Sequence, residues 1–238
     1  LSASALSVND NGQGVLGLIG ILDGVDMESG TCNPPASNAT CNITPLFKLT
    51  DDWGETWQGI PSANGFYYVP DEVYDDILSQ WPSVDVDQCS GEQSEITDFW
   101  SWYKFDMRVD MNGNPHIITS MVAESDNYFH FLDGYTGFYH FTIDKDYIGN
   151  PGFVNTPTGW NYSQILDARE SWVWTDPTGS SLLWSTQGQI AISEDDPDVI
   201  WVVSDQMVQG PEGGNYDPAD PYDCDEPYEG FYESSEDI

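Results

Sequence analysis

The chain has 238 residues, of which 41 are Asp or Glu and only five are Lys or Arg, giving a formal net charge of −36 at neutral pH. The basic residues Lys48, Lys104, Arg108, Lys145 and Arg169 are too few to neutralise a run of phosphates, which argues against nucleic acid and anionic membrane surfaces as partners. Ten Trp, 13 Tyr and 10 Phe carry more apolar surface than a solvated acidic coil does, so the chain is expected to fold, in a saline or calcium-containing medium that screens its self-repulsion.

The first predicted element is a hairpin whose turn, Asn9-Asp10-Asn11-Gly12-Gln13, leads into the apolar run Val15 to Leu22. Gly17 and Gly20 interrupt that run, and it falls well short of the roughly 20 residues that cross a bilayer, so no membrane insertion is expected. A start at Leu1, without a basic or apolar leader, reads as a mature or excised portion of a longer product. Cys32 and Cys41 bracket a Pro/Asn/Ser loop with neither metal-ligand spacing nor a Cys-x-x-Cys pair, which points to a local disulfide. Cys89 and Cys224 then form a second pair, although four cysteines allow three pairings and four buried thiols are the alternative. Bridges imply export to an oxidising, extracellular or cell-surface compartment.

A strand is predicted over Pro45 to Leu49, and directly after it comes Thr50-Asp51-Asp52-Trp53-Gly54-Glu55-Thr56-Trp57. Asp52 is suited to accept backbone N–H groups within a tight turn, Gly54 to a conformation closed to other residues, and Trp57 to burial between sheets. With Thr50, Asp52, Gly54, Thr56 and Trp57 in place, the segment matches Ser/Thr-x-Asp-x-Gly-x-Thr-Trp and resembles the Asp-box repeat of bacterial neuraminidase-type β-propellers. The resemblance implies four-stranded antiparallel blades, with the box between the third and fourth strands as a folding device away from the ligand face. It also implies a secreted or surface-displayed protein, and sialidases as relatives.

Ile60 to Tyr103 reads as an insertion with one helix, Asp71 to Trp81, where Pro70 precedes an acidic first turn and Val73, Ile77 and Trp81 recur at helical spacing. Strands follow at Phe105 to Val109, His116 to Val122 and Gly137 to Ile143. Val109-Asp110-Met111-Asn112-Gly113-Asn114-Pro115-His116-Ile117 aligns without a gap on Val8 to Leu16, and Ile192 to Ile200 is a looser third copy, so equivalent hairpins are expected near 8–20, 109–122 and 192–204. Thr142 to Asp146 has the position of a box without its Gly and Trp, and Tyr147 to Gly188 reads as a second insertion. Strands at Gln189 to Ile192 and Val199 to Ser204 complete an all-β propeller segment over 1–209, of about three blades, before an acidic Pro/Gly/Tyr-rich tail or loop over 210–238.

Two Arg residues cannot make the Arg triad that clamps a sialic acid carboxylate, and the negative field opposes an anionic sugar. The expected role is therefore non-catalytic: binding of glycan or protein, or display, at the cell surface, as part of a larger chain or assembly. Trp100, Trp102, Tyr103, Trp160, Trp172 and Trp174 are the candidate binding aromatics, with core packing as their alternative role. A glycoside hydrolase completed by further blades is the rival reading, with Glu124, Asp126 and Glu170 as its first candidates, and a structural subunit of a filament or matrix is the third. Asp110, Asn112 and Asn114 offer oxygen donors suited to calcium, though without an EF-hand loop, while His116, His130 and His140 lack a close zinc spacing.

Overall fold

The computed structural model describes residues 4–22, 25–26, 31–32, 43–63, 65–86, 93–125, 128–130, 135–149, 155–167, 172–175, 182–185 and 188–204. Cys41, Cys89, Cys224, Asp126, Arg169, Glu170 and the 210–238 segment lie outside the described residues, and for Cys32, Tyr103, His130, Trp172, Trp174 and Trp184 the description extends to the backbone alone. In chain order the elements are β1 (Ser4–Val8), β2 (Gly14–Gly20), β3 (Val25–Asp26), β4 (Thr31–Cys32), β5 (Thr44–Thr50), β6 (Tyr67–Tyr68), α1 (Asp71–Leu78), β7 (Val84–Val86), β8 (Gln93–Glu95) and β9 (Asp98–Val109). They continue with β10 (Pro115–Ser125), β11 (Tyr128–His130), β12 (Gly137–Ile143), α2 (Lys145–Ile148), β13 (Trp160–Asp167), β14 (Trp172–Thr175), β15 (Leu182–Ser185), β16 (Gly188–Ile192) and β17 (Ile200–Ser204).

All described pairings are antiparallel, so the body is all-β; the described strands do not by themselves close a propeller ring. Sheet one is an up-and-down meander, β1-β2-β5-β6, and sheet two repeats it as β9-β10-β12-β13, with β11 beside the far end of β10. Sheet three is the β16-β17 hairpin. The fourth strands, β6 and β13, fall inside the stretches that read as insertions. Tyr67–Tyr68 is too short to show a period, and Trp160–Asp167 alternates polar residues outward as an edge strand does.

The first two hairpins share one turn. Val8 pairs with Gly14 and Val109 with Pro115, each closing five residues with glycine at positive φ, +80° at Gly12 and +86° at Gly113. Asn9 Oδ1 accepts the N–H groups of Asn11 and Gln13, and Asp110 Oδ1 those of Asn112 and Asn114. The looser third copy also forms a hairpin, but Ile192 pairs with Ile200 around seven residues, so its turn is two residues longer than the first two. Asp196-Pro197-Asp198 has no glycine to make the tighter bend, and Asp196 Oδ1 instead accepts the Asp198 N–H.

The sheets stack face to face. Ala5, Val15 and Phe47 from one face of sheet one share the main core with Met107, Val109, Ile117, Met121 and Phe141 of sheet two. A Cβ at Gly17 would run into Met107 Sδ, so the missing side chain lets β2 approach β9. At the next seam the Ile190 N–H donates to Asp106 Oδ2 at 3.1 Å, and a Cβ at Gly188 would meet Phe138 and Ile118 at 2.9 and 3.1 Å. Helix α1 starts at Asp71 after Pro70, three residues shorter than the predicted 71–81, and buries Val73, Tyr74 and Ile77. The Tyr74 hydroxyl shares hydrogen bonds with Thr44 at 2.9 Å and Ser101 at 3.0 Å, tying the helix to β5 and β9.

Candidate functional site

Residues 50–57 form the corner between the third and fourth strands of sheet one. Thr50 Oγ1 donates to Asp52 Oδ1 and accepts the Gly54 N–H; Asp52 in turn accepts the Thr56 N–H at 2.8 Å and the Thr56 hydroxyl at 2.6 Å. These bonds, those from Thr56 foremost, hold the Asp52 carboxyl down at about 2. Trp53 and Gly54 both have positive φ, and Trp57 is half-buried against Gly54. Every acceptor of Asp52 that is engaged faces its own turn, which is the chemistry of a folding device. The corresponding corner of sheet two is α2, where Asp144 caps a single helical turn. Lys145 Nζ reaches back to Asp51 Oδ1 at 3.0 Å, joining the two corners.

Asp110, Asn112 and Asn114 come together in the second hairpin turn, where the side-chain oxygens of Asp110 and Asn114 are engaged. Asp110 Oδ1 holds two N–H groups, its Oδ2 accepts Asn114 Nδ2 at 2.8 Å, and Asn114 Oδ1 accepts the Lys145 N–H at 2.9 Å. The first turn docks on this one through Asn9 Nδ2 to the Asp110 carbonyl at 2.8 Å and Asn11 Nδ2 to the Met111 carbonyl at 3.2 Å. Among the described residues no group of three or more His, Cys, Asp or Glu is arranged to hold a metal ion.

His116 and His140, which lack a close zinc spacing in the sequence, stack with ring centroids 5.2 Å apart and an interplanar angle of 8°, and Nδ1 of His116 lies 3.0 Å from Nε2 of His140. His116 Nε2 is buried without a hydrogen bond, 3.7 Å from Asp110 Oδ2. Burial lowers both imidazoles, His140 to about 4, where the neighbouring His116 adds to the effect. Register explains what spacing concealed: Ile118 is opposite His140, which puts the two histidines diagonally across β10 and β12.

The candidate aromatics separate. Trp160 is buried in the main core, edge-on to Phe47 at 6.2 Å, with its indole N–H donated to Asn155. Trp100 and Trp102 instead lie together on β9, centroids 5.2 Å apart, outside the main core with Val122 and Ile43. β9 bulges here, with four residue steps between Ser101 and Phe105 facing two between Met121 and Thr119 on β10, so that Trp102 is re-aimed and remains half-buried. Trp100 itself is buried and donates its indole N–H to Glu124 Oε2 at 2.9 Å. Glu124 faces Asp98 directly across the two strands, and its carboxyl is pushed up by burial and by Asp98 against the opposing effect of the Trp100 bond. Two indoles and two carboxylates thus share one corner of sheet two, with Trp100 buried and Trp102 half-buried. Among the described residues no helix is long and apolar enough to cross a membrane. Comparison with family models, curated proteins and solved structures finds no match for this chain.

Proposed function

We propose that the stacked sheets are successive blades of a β-propeller segment of the Asp-box type. Its role is extracellular and non-catalytic, presenting the Trp100 and Trp102 corner to a glycan or protein at the cell surface as part of a larger chain or assembly. The observation that carries the blade reading is recurrence: two four-stranded meanders of the same order, with hairpin turns about 100 residues apart docked on one another through Asn9 and Asn11. The binding reading rests on the half-buried Trp102 beside Trp100 and Glu124, and the charge of −36 favours a neutral glycan over an acidic one.

The test is retention of the full chain on immobilised neutral and sialylated oligosaccharides, followed by Trp fluorescence titration. Neutral glycans should bind, sialylated ones should not, and Trp102→Ala should weaken binding at least tenfold with an unchanged far-UV spectrum. Absence of glycan or cell-surface protein binding, or binding indifferent to Trp102→Ala, overturns the reading. Glycoside hydrolysis is the second reading, favoured by the opposition of Glu124, with its raised carboxyl, to Asp98. Turnover of a neutral glycan that Glu124→Gln abolishes would establish it in place of binding alone.

A further inference from the structure

Among the described residues, the stack ends in two faces that carry exposed apolar side chains. On sheet one, the face turned away from sheet two presents Ser4, Leu6 and Val8 of β1 beside Leu16 and Leu18 of β2, with Leu6 60 % and Val8 38 % exposed. On sheet three, Gln189 pairs with Val203 and Ala191 with Trp201 on the outward face, where Val203 is 69 % and Trp201 53 % exposed. Lys48, directly across from Leu16 on β5, is the one charged side chain among the paired positions of these two faces and lies over the Phe66 ring; no carboxylate is among them, in a chain with 41 acidic residues, so carboxylate desolvation does not oppose contact there.

From these faces we infer that a second copy of this chain is the occupant, with the sheet-three face of one copy seated on the sheet-one face of the other, head to tail. The inference rests on the stacked-blade reading above, and is independent of the glycan role. Continuity supports it. Sheet two already rests on sheet one, and sheet three on sheet two, through apolar faces that include Val15, Met107 and Ile190; one further step of the same kind puts a sheet-one face on sheet three. A copy of the chain supplies both faces. Contact between two different patches is heterologous and closes into a ring when the rotation permits.

Like charges on the two copies oppose the contact and salt screens them, so association should strengthen with ionic strength. Sedimentation velocity of the intact chain should give 26.5 kDa at about 0.1 M NaCl, where the Debye length is near 10 Å, and at least twice that mass at about 1 M, where it is near 3 Å. Leu6→Glu alone and Trp201→Glu alone should each hold the chain monomeric at high salt. Mixing the two variants should restore a dimer, because each retains the face the other has lost. A wild-type monomer at every ionic strength overturns the inference, whether or not glycan binding survives. So does association that one variant leaves intact, as face-to-same-face pairing would, or a mixture of folded variants that stays monomeric. Should either Glu variant lose the wild-type near-UV spectrum, Val8→Lys and Val203→Lys replace the pair in the same scheme.

Discussion

Asp52 has nearly all of its hydrogen-bonding capacity turned inward on Thr50, Glu55 and Thr56, and the physical consequence is a dependence on pH. Its folded carboxyl titrates near 2 against an ordinary 3.8, so the folded state favours the ionised form. That contribution is fully present above 3.8 and disappears as pH falls through about 2. Asp52→Ala should lower the thermal midpoint more than Asp52→Asn, which keeps one acceptor, and both differences from wild type should shrink toward pH 2. Equal midpoints for all three proteins at pH 6 would count against the turn network. The histidine pair loses stability in the same direction, but at higher pH. With His140 lowered from 6.5 to about 4, the unfolded chain takes up a proton first as the solution is acidified. Stability conferred by the neutral pair is thus complete above pH 6.5 and lost between 6.5 and 4. Allowing for partial exposure of the ring, the loss is about 2 kcal/mol by proton linkage. Chemical denaturation of His140→Phe should give a flatter profile than wild type across that window, and parallel profiles would mean that the pair does not resist protonation.

At the level of strands and helices, the seam between β2 and β9 depends on the absence of a side chain at Gly17 above the fully buried Met107. Gly17→Val should destabilise by about 1–3 kcal/mol through overpacking, and Met107→Ala in the same chain should recover part of that loss by vacating the space. Strictly additive losses in a double-mutant cycle would show that the two positions do not meet. This seam was hidden in the sequence, where Gly17 reads only as a break in an apolar run. What was legible is what local chemistry dictates: the Asx and Gly turns at 9–13 and 110–114, the helix start after Pro70, and strands with a clear apolar period such as Gly137–Ile143. Long-range register was not legible. It sets Glu124 against Asp98, brings His116 to His140, bulges β9 at Trp102 and buries Trp160, and none of these leaves a trace in spacing along the chain. The third hairpin was legible as a looser copy through its Ile, Asp and Val residues, while the length of its seven-residue turn was not, because its lack of glycine changes the bend.

Over the whole molecule, a charge of −36 enters the folding equilibrium through size. A compact domain of this length has a radius of gyration of about 18 Å, against about 53 Å for the unfolded chain, so folding brings the same charge into a much smaller volume. Self-repulsion therefore falls mainly on the folded state, and screening relieves it. Two of the cations offset some of this locally: Lys145 bridges to Asp51 across the two sheet corners, and Arg108 pairs with Asp106 at 2.7 Å. The thermal midpoint should accordingly rise steeply with NaCl at low concentration and flatten toward about 1 M, where the Debye length has shrunk to near 3 Å. Calcium adds a discriminating arm. Asp110 and Asn114 have their oxygens engaged by N–H donors, so a chloride salt of calcium should stabilise wild type and Asp110→Asn by equal increments over NaCl of the same ionic strength. An increment confined to the wild type would assign a specific calcium site to this turn, and a midpoint indifferent to all salts would mean that the charge is not a folding burden at all.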